Sequence, residues 1–86
     1  MKNLLKNARE AQQLKPIEVS RFLHIDAALV SKFESGSRLP TFEQMQNLAI
    51  LLKIDREELE TAWLKEKILN VVNKSDVGIQ ALQATL

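Results

Sequence analysis

Apolar positions return along this chain at helical spacing, interrupted by short polar or proline-bearing stretches. Leu4, Leu5, Ala8 and Ala11 or Gln12 recur with that period and no breaker intervenes before Gln13, which predicts a first helix over about 2–12. Val19, Phe22 and Leu23 repeat the pattern, and so do Val30 and Phe33 with Ala27, on either side of His24-Ile25-Asp26. Two short amphipathic helices therefore meet across a tight turn, with Ile25 as its apolar plug. Pro16 suits the first position of the second helix, where its missing N–H would be unpaired in any case. Lys15 cannot cap that helix as a serine would, so its start is expected to fray. Asp26 is placed to accept bonds from the free N–H groups that open the third helix near Ala27. Glu34-Ser35-Gly36 closes that helix, Gly36 being able to take the left-handed conformation.

Beyond it, Ser37-Arg38-Leu39-Pro40 reads as a loop, because the proline biases Leu39 away from helix. Thr41-x-x-Gln44 is a capping box opening a fourth helix, with Phe42, Met45, Leu48, Ala49 and Leu52 expected on its inner side. Asp55-x-x-Glu58 repeats the device and starts a fifth helix near Arg56. Its apolar pattern is wider than one stripe. Leu59, Ala62 and Trp63 form one group; Leu64, Ile68, Val71 and Val72 form another, rotated from the first by about a hundred degrees. One group can cover the domain's own core, while the other needs the tail or a second subunit. Asn73 to Asp76 interrupts the pattern, and Val77 to Ala84 is expected to make a short sixth helix despite Gly78. The expected organisation is an all-α domain of five helices over 1–72 with a helical C-terminal extension over 73–86, involved in dimerisation.

Composition narrows the picture. A chain of 86 residues supports a single core. It lacks cysteine, which removes disulfides and thiolate metal sites. The longest apolar run, Leu48 to Leu52, is far short of the roughly 20 residues that span a bilayer, and polar residues interrupt the start, so a soluble, cytoplasmic chain is expected. Charge is informative only when divided. Residues 1–40 carry seven Lys and Arg against four Asp and Glu, a balance of +3, whereas residues 41–60 carry two against five, a balance of −3. The basic part is the part holding the two short helices, as a DNA-facing surface on a near-neutral domain would have it. Catalysis has little to use. The lone His24 sits in a turn without a nucleophile or further metal ligands, and Glu57, Glu58 and Glu60 are explained by a helix start. With two glycines there is no phosphate loop, so no enzyme, cofactor, metal or small-molecule ligand is expected.

The ordered set Arg9, Leu14, Val19-Ser20, Leu23, Ile25, Val30-Ser31, Glu34-x-Gly36, Arg38-x-Pro40 and Leu48-Ala49-x-x-Leu52 resembles the helix-turn-helix of the Cro and phage-repressor type, over about 4–54. The chain departs from that pattern at Lys15-Pro16, at Ser20 in place of alanine, at His24 in place of the turn glycine, and at Phe22, where a polar residue is usual. The resemblance implies that Ala27, Ala28, Ser31 and Lys32 lie in or near the major groove, and that Arg9 and Glu34 pair to tie the first helix to the end of the recognition helix. The residues agree with the first role. If Val30 and Phe33 face inward, Ala27, Ala28, Ser31 and Lys32 face outward, with Ser35 at the end. An alanine can touch a thymine methyl, Ser31 can bond a base or phosphate, and Lys32 can reach guanine or a phosphate. Ser37 and Arg38, before a proline-stiffened turn, form a second anchor. Phe22 either packs under the first helix or belongs to a partner surface.

The expected function is that of a sequence-specific regulator of transcription, most simply a repressor. It would bind double-stranded DNA at an inverted-repeat operator as a homodimer held through Leu64, Ile68, Val71 and Val72. The rival is a protein-interaction module on the same fold, antitoxin-like or an adaptor subunit, and a third reading makes the chain the front domain of a longer protein.

Overall fold

Residues 1–74 are described by a computed structural model. They form α1 (Lys2–Ala11), α2 (Pro16–Leu23), α3 (Ala27–Ser35), α4 (Phe42–Leu51) and α5 (Arg56–Lys74), with no strand among the described residues. The fifth helix runs through Asn73 and Lys74, past the interruption expected there. The sixth helix expected over 77–84, like most of the C-terminal extension, lies outside the described residues.

Every helix sends residues to one core: Leu5 from α1, Val19 and Leu23 from α2, Val30 and Phe33 from α3, Met45, Leu48 and Ala49 from α4, and Leu59 and Trp63 from α5. Buried side chains of this size stabilise by about 1.5–3 kcal/mol each through transfer from water. Leu14, Ile25, Leu39 and Ile54 close the core's rim from the connecting turns. Phe42 corrects the sequence expectation. It is 43% exposed, outside the fully buried set, and its ring centroid stands 5.6 Å from that of Trp63. The first residue of a helix points away from the turns that follow, so an inward-reading pattern need not bury it.

Three of the helices end alike. Gln13, His24 and Lys53 take positive φ of 55–56°. The next residue is apolar in each case, and its N–H donates to the carbonyl five residues back: Leu14 to Arg9, Ile25 to Ser20 and Ile54 to Ala49, at 3.0–3.1 Å. A non-glycine residue in this conformation costs about 1–2 kcal/mol. The apolar residue that follows offsets the cost by packing at the core's rim, so the chain reverses in three residues and α3 is held against α2.

The helix starts differ from one another. At Thr41 both bonds of the capping box form, Gln44 N–H to Thr41 Oγ1 at 3.1 Å and Thr41 N–H to Gln44 Oε1 at 2.9 Å. Before α5 the Glu58 N–H donates to Asp55 Oδ2 at 3.1 Å. At α2 the fraying expected from Lys15 is countered by Glu18, whose Oε1 accepts the Lys15 N–H at 3.0 Å. Asp26 is a second correction. Its backbone takes the extended conformation of a helix-capping residue, but its carboxylate makes no bond to the N–H groups that open α3. Exposed to water, that carboxylate can favour the helix only through the field of the helix dipole.

Trp63 fastens α5 to the loop between α3 and α4. Its Nε1–H donates to the Pro40 carbonyl at 2.7 Å in a buried setting, and Lys67 Nζ stands 4.7 Å from its ring centroid. Past Trp63 the helix leaves the core. Leu64, Ile68 (49% exposed), Leu69 and Val71 (58%) are turned to water, whereas Val72 is half-buried.

Candidate nucleic-acid interface

Burial of Val30 and Phe33 fixes the rotation of α3, and the rest of the site follows from it. Ala28, Ser31, Lys32 and Ser35, spaced three and four apart, share the exposed face. Ala27 does not join them. It is half-buried and lines a depression of about 700 Å³ along the turn with Ile17, Arg21 and His24. On the other flank, Ser31 and Ser35 border a groove of about 360 Å³ together with Lys6, Arg9, Pro16 and Glu34. Lys6 was not singled out from the sequence. It stands three residues before Arg9, one turn along the same helix face, and that spacing is the signal that would have found it.

Arg9 and Glu34 meet in the geometry that suits a guanidinium and a carboxylate. Arg9 Nε donates to Glu34 Oε2 at 2.7 Å and Nη2 to Glu34 Oε1 at 3.1 Å, while Nη1 donates to the Leu14 carbonyl at 2.9 Å. One side chain thereby joins α1, the turn before α2 and the end of α3. Both side chains are about 13–14% exposed. The hydrogen bond to Glu34 raises the Arg9 pKa above the ordinary guanidinium value; burial works against it, and the charges of Glu34 and Glu10 add to it. A raised basic pKa leaves the guanidinium charged at every pH below that ordinary value, so Arg9 loses its part in the pair only in strong alkali.

At the C-terminal end of α3, Gly36 takes φ 82° and the chain turns back on itself. The carbonyl of Lys32 gathers three donors there: Ser35 Oγ at 3.1 Å, Ser37 Oγ at 3.4 Å and the Arg38 N–H at 3.3 Å. The two serine hydroxyls also lie 3.0 Å from each other. The Arg38 side chain is exposed. Phe22, on α2, is 47% exposed and so is not packed away under α1.

An all-α arrangement in which α2 and α3 cross a three-residue turn, with one small, polar and basic face of α3 turned outward, defines a helix-turn-helix domain. A helix-turn-helix family model matches residues 5–59, more than half of the chain. The protein belongs to this family, of the Cro and phage-repressor type, whose members bind DNA. No curated protein and no solved structure matches the chain. Among the described residues no helix is long and apolar enough to cross a membrane.

Proposed function

We propose that this protein is a sequence-specific regulator of transcription, most simply a repressor, which works in the cytoplasm on double-stranded DNA. The observation that carries this reading is the exposed face of α3. Ala28, Ser31 and Lys32 stand in a row with no large side chain among them, above the buried Val30 and Phe33. Such a face enters the major groove without steric conflict. Ser31 and Lys32 then supply the polar contacts to base edges, Ala28 meets a thymine methyl, Ala27 lies at the edge of the contact, and Arg38 takes a phosphate.

The proposed regulator acts as a homodimer through α5. Leu64, Ile68 and Val71 alternate steps of four and three, the spacing of a two-helix seam. Leu59 and Trp63, which face the core, fall on a different side of the same helix, and Val72 flanks the seam. Two copies side by side in parallel would set Glu60 of one against Lys65 of the other, an attraction that favours a second copy as the occupant. Two recognition helices related in this way read an inverted repeat with half-site centres about one turn, roughly 10 bp, apart.

The rival, an interaction module, is favoured by the same exposed aliphatic residues of α5 if they grip a different protein. Selection of bound fragments from random duplex DNA, at a stated salt concentration, decides between them. The regulator reading expects an enriched inverted repeat. No enrichment over bulk DNA, with Ser31, Lys32 and Arg38 all replaceable at no cost, leaves the interaction module in its place.

A further inference from the structure

Ser35 and Ser37 sit where DNA contacts are expected and are exposed, yet their hydroxyl groups bond to each other and to the backbone at the end of α3. A serine has one proton to give. Ser35 gives its proton to the Lys32 carbonyl at 3.1 Å. Its oxygen then receives the Ser37 hydroxyl at 3.0 Å and, more weakly, the Ser37 N–H at 3.4 Å. Ser37 divides its proton between Ser35 and the Lys32 carbonyl at 3.4 Å. Neither proton is left for a base or phosphate oxygen unless this set of bonds is broken. The same Lys32 carbonyl accepts the Arg38 N–H at 3.3 Å. Two residues further on, the Pro40 carbonyl is held by Trp63 Nε1 at 2.7 Å. The backbone of Arg38 is thus fixed on both sides, while its guanidinium stays in water.

Resting on the DNA-binding reading above, we infer that Ser35 and Ser37 are positioning residues. Their hydroxyls close the end of α3 onto the Lys32 carbonyl and so preset Arg38 as a phosphate anchor, and they do not read bases. An anchor held in place before binding loses less conformational freedom when the phosphate arrives, so the clasp acts on affinity for every duplex alike.

The test uses the full chain and two readouts. In the free protein, amide hydrogen exchange at Arg38 should quicken in Ser35→Ala and in Ser37→Ala and return towards the parent rate in Ser35→Thr, which keeps the hydroxyl. With a mixed-sequence duplex, Ser35→Ala should weaken binding by about two- to tenfold, the worth of one net hydrogen bond, without altering preference at any base pair. In an Arg38→Ala background that loss should vanish, because the clasp then has no anchor to hold. The inference is overturned by unchanged exchange at Arg38 in Ser35→Ala. It is equally overturned by a binding loss that persists without Arg38 or falls on one base pair. If the parent chain binds no duplex, the function proposed above fails and the anchoring role with it, while the exchange rates still establish whether the clasp exists.

Discussion

The outer face of α3 and the outer face of the second half of α5 are both turned to water, and they have opposite chemistry. The first carries Ala28, Ser31, Lys32 and Ser35; the second carries Leu64, Ile68, Leu69 and Val71. Small polar side chains cost little when wet and leave a helix slim enough for a groove. Large aliphatic ones forgo about 25 cal/mol for each Å² of apolar surface left uncovered. One helix is therefore already suited to solvent and to a polyanion, and the other is suited to a protein surface. Exposure alone would have grouped the two faces together, whereas side-chain chemistry separates them.

The most severe way to break the comparison is to remove what both faces share. Phe33 lies beneath the α3 face in the common core, so Phe33→Ala should lose about 3–5 kcal/mol, read by chemical denaturation, and abolish DNA binding and association together. A loss below about 1 kcal/mol would mean that the core does not set the rotation of α3. Next in size, Ile68→Lys should cost the proposed dimer about 2 kcal/mol or more, seen by sedimentation as monomers. The unfolding of each domain should be little changed, since Ile68 is half in water. A parent chain that sediments as a monomer at micromolar concentration removes the dimer from the proposal.

Smaller effects sharpen the α3 side. A double-mutant cycle between Arg9→Ala and Glu34→Ala should return a coupling above about 0.5 kcal/mol, and a cycle that closes at zero would leave the pair as geometry without energy. His24→Gly should be the mildest change. Relief of the left-handed conformation, about 1–2 kcal/mol, is largely returned as the greater freedom of glycine in the unfolded chain, about 0.5–1 kcal/mol. Thermal unfolding should accordingly show a gain of about 1 kcal/mol or less, with DNA binding intact. A clear destabilisation would show that the His24 side chain contributes a contact of its own.

Much of this arrangement was legible in the residues, for identifiable reasons. The helix bounds follow from apolar period and from caps, which act within a few residues and leave local marks: Pro16, Gly36, Thr41 with Gln44, and Asp55. The outward set on α3 follows once Val30 and Phe33 are placed inside. What escaped depends on choices that sequence leaves degenerate. A serine near a helix end can bond to its own backbone or to a ligand, and the letters at Ser35 and Ser37 are the same in either case. An aspartate before a helix can cap it or stay solvated, and Asp26 stays solvated. Period assigns Phe42 to the inner side without saying that it would stay partly exposed with its ring tilted against Trp63. Leu69 lies off the stripe that was followed and adds to the exposed aliphatic surface.

The bond from Trp63 to Pro40 makes this molecule its own reporter. Trp63 is the single tryptophan of the chain, and it is buried. Its indole touches the loop that carries Arg38 through Pro40, and its backbone belongs to the helix proposed to pair with a second copy. Excited near the red edge of the protein absorption, the chain should therefore emit from one defined place, at the short wavelengths of an indole shielded from water. Arrival of a duplex at the loop, and association along α5, should each perturb that emission, and unfolding should move it to longer wavelength. Both proposed partners can then be tested optically on the unlabelled protein.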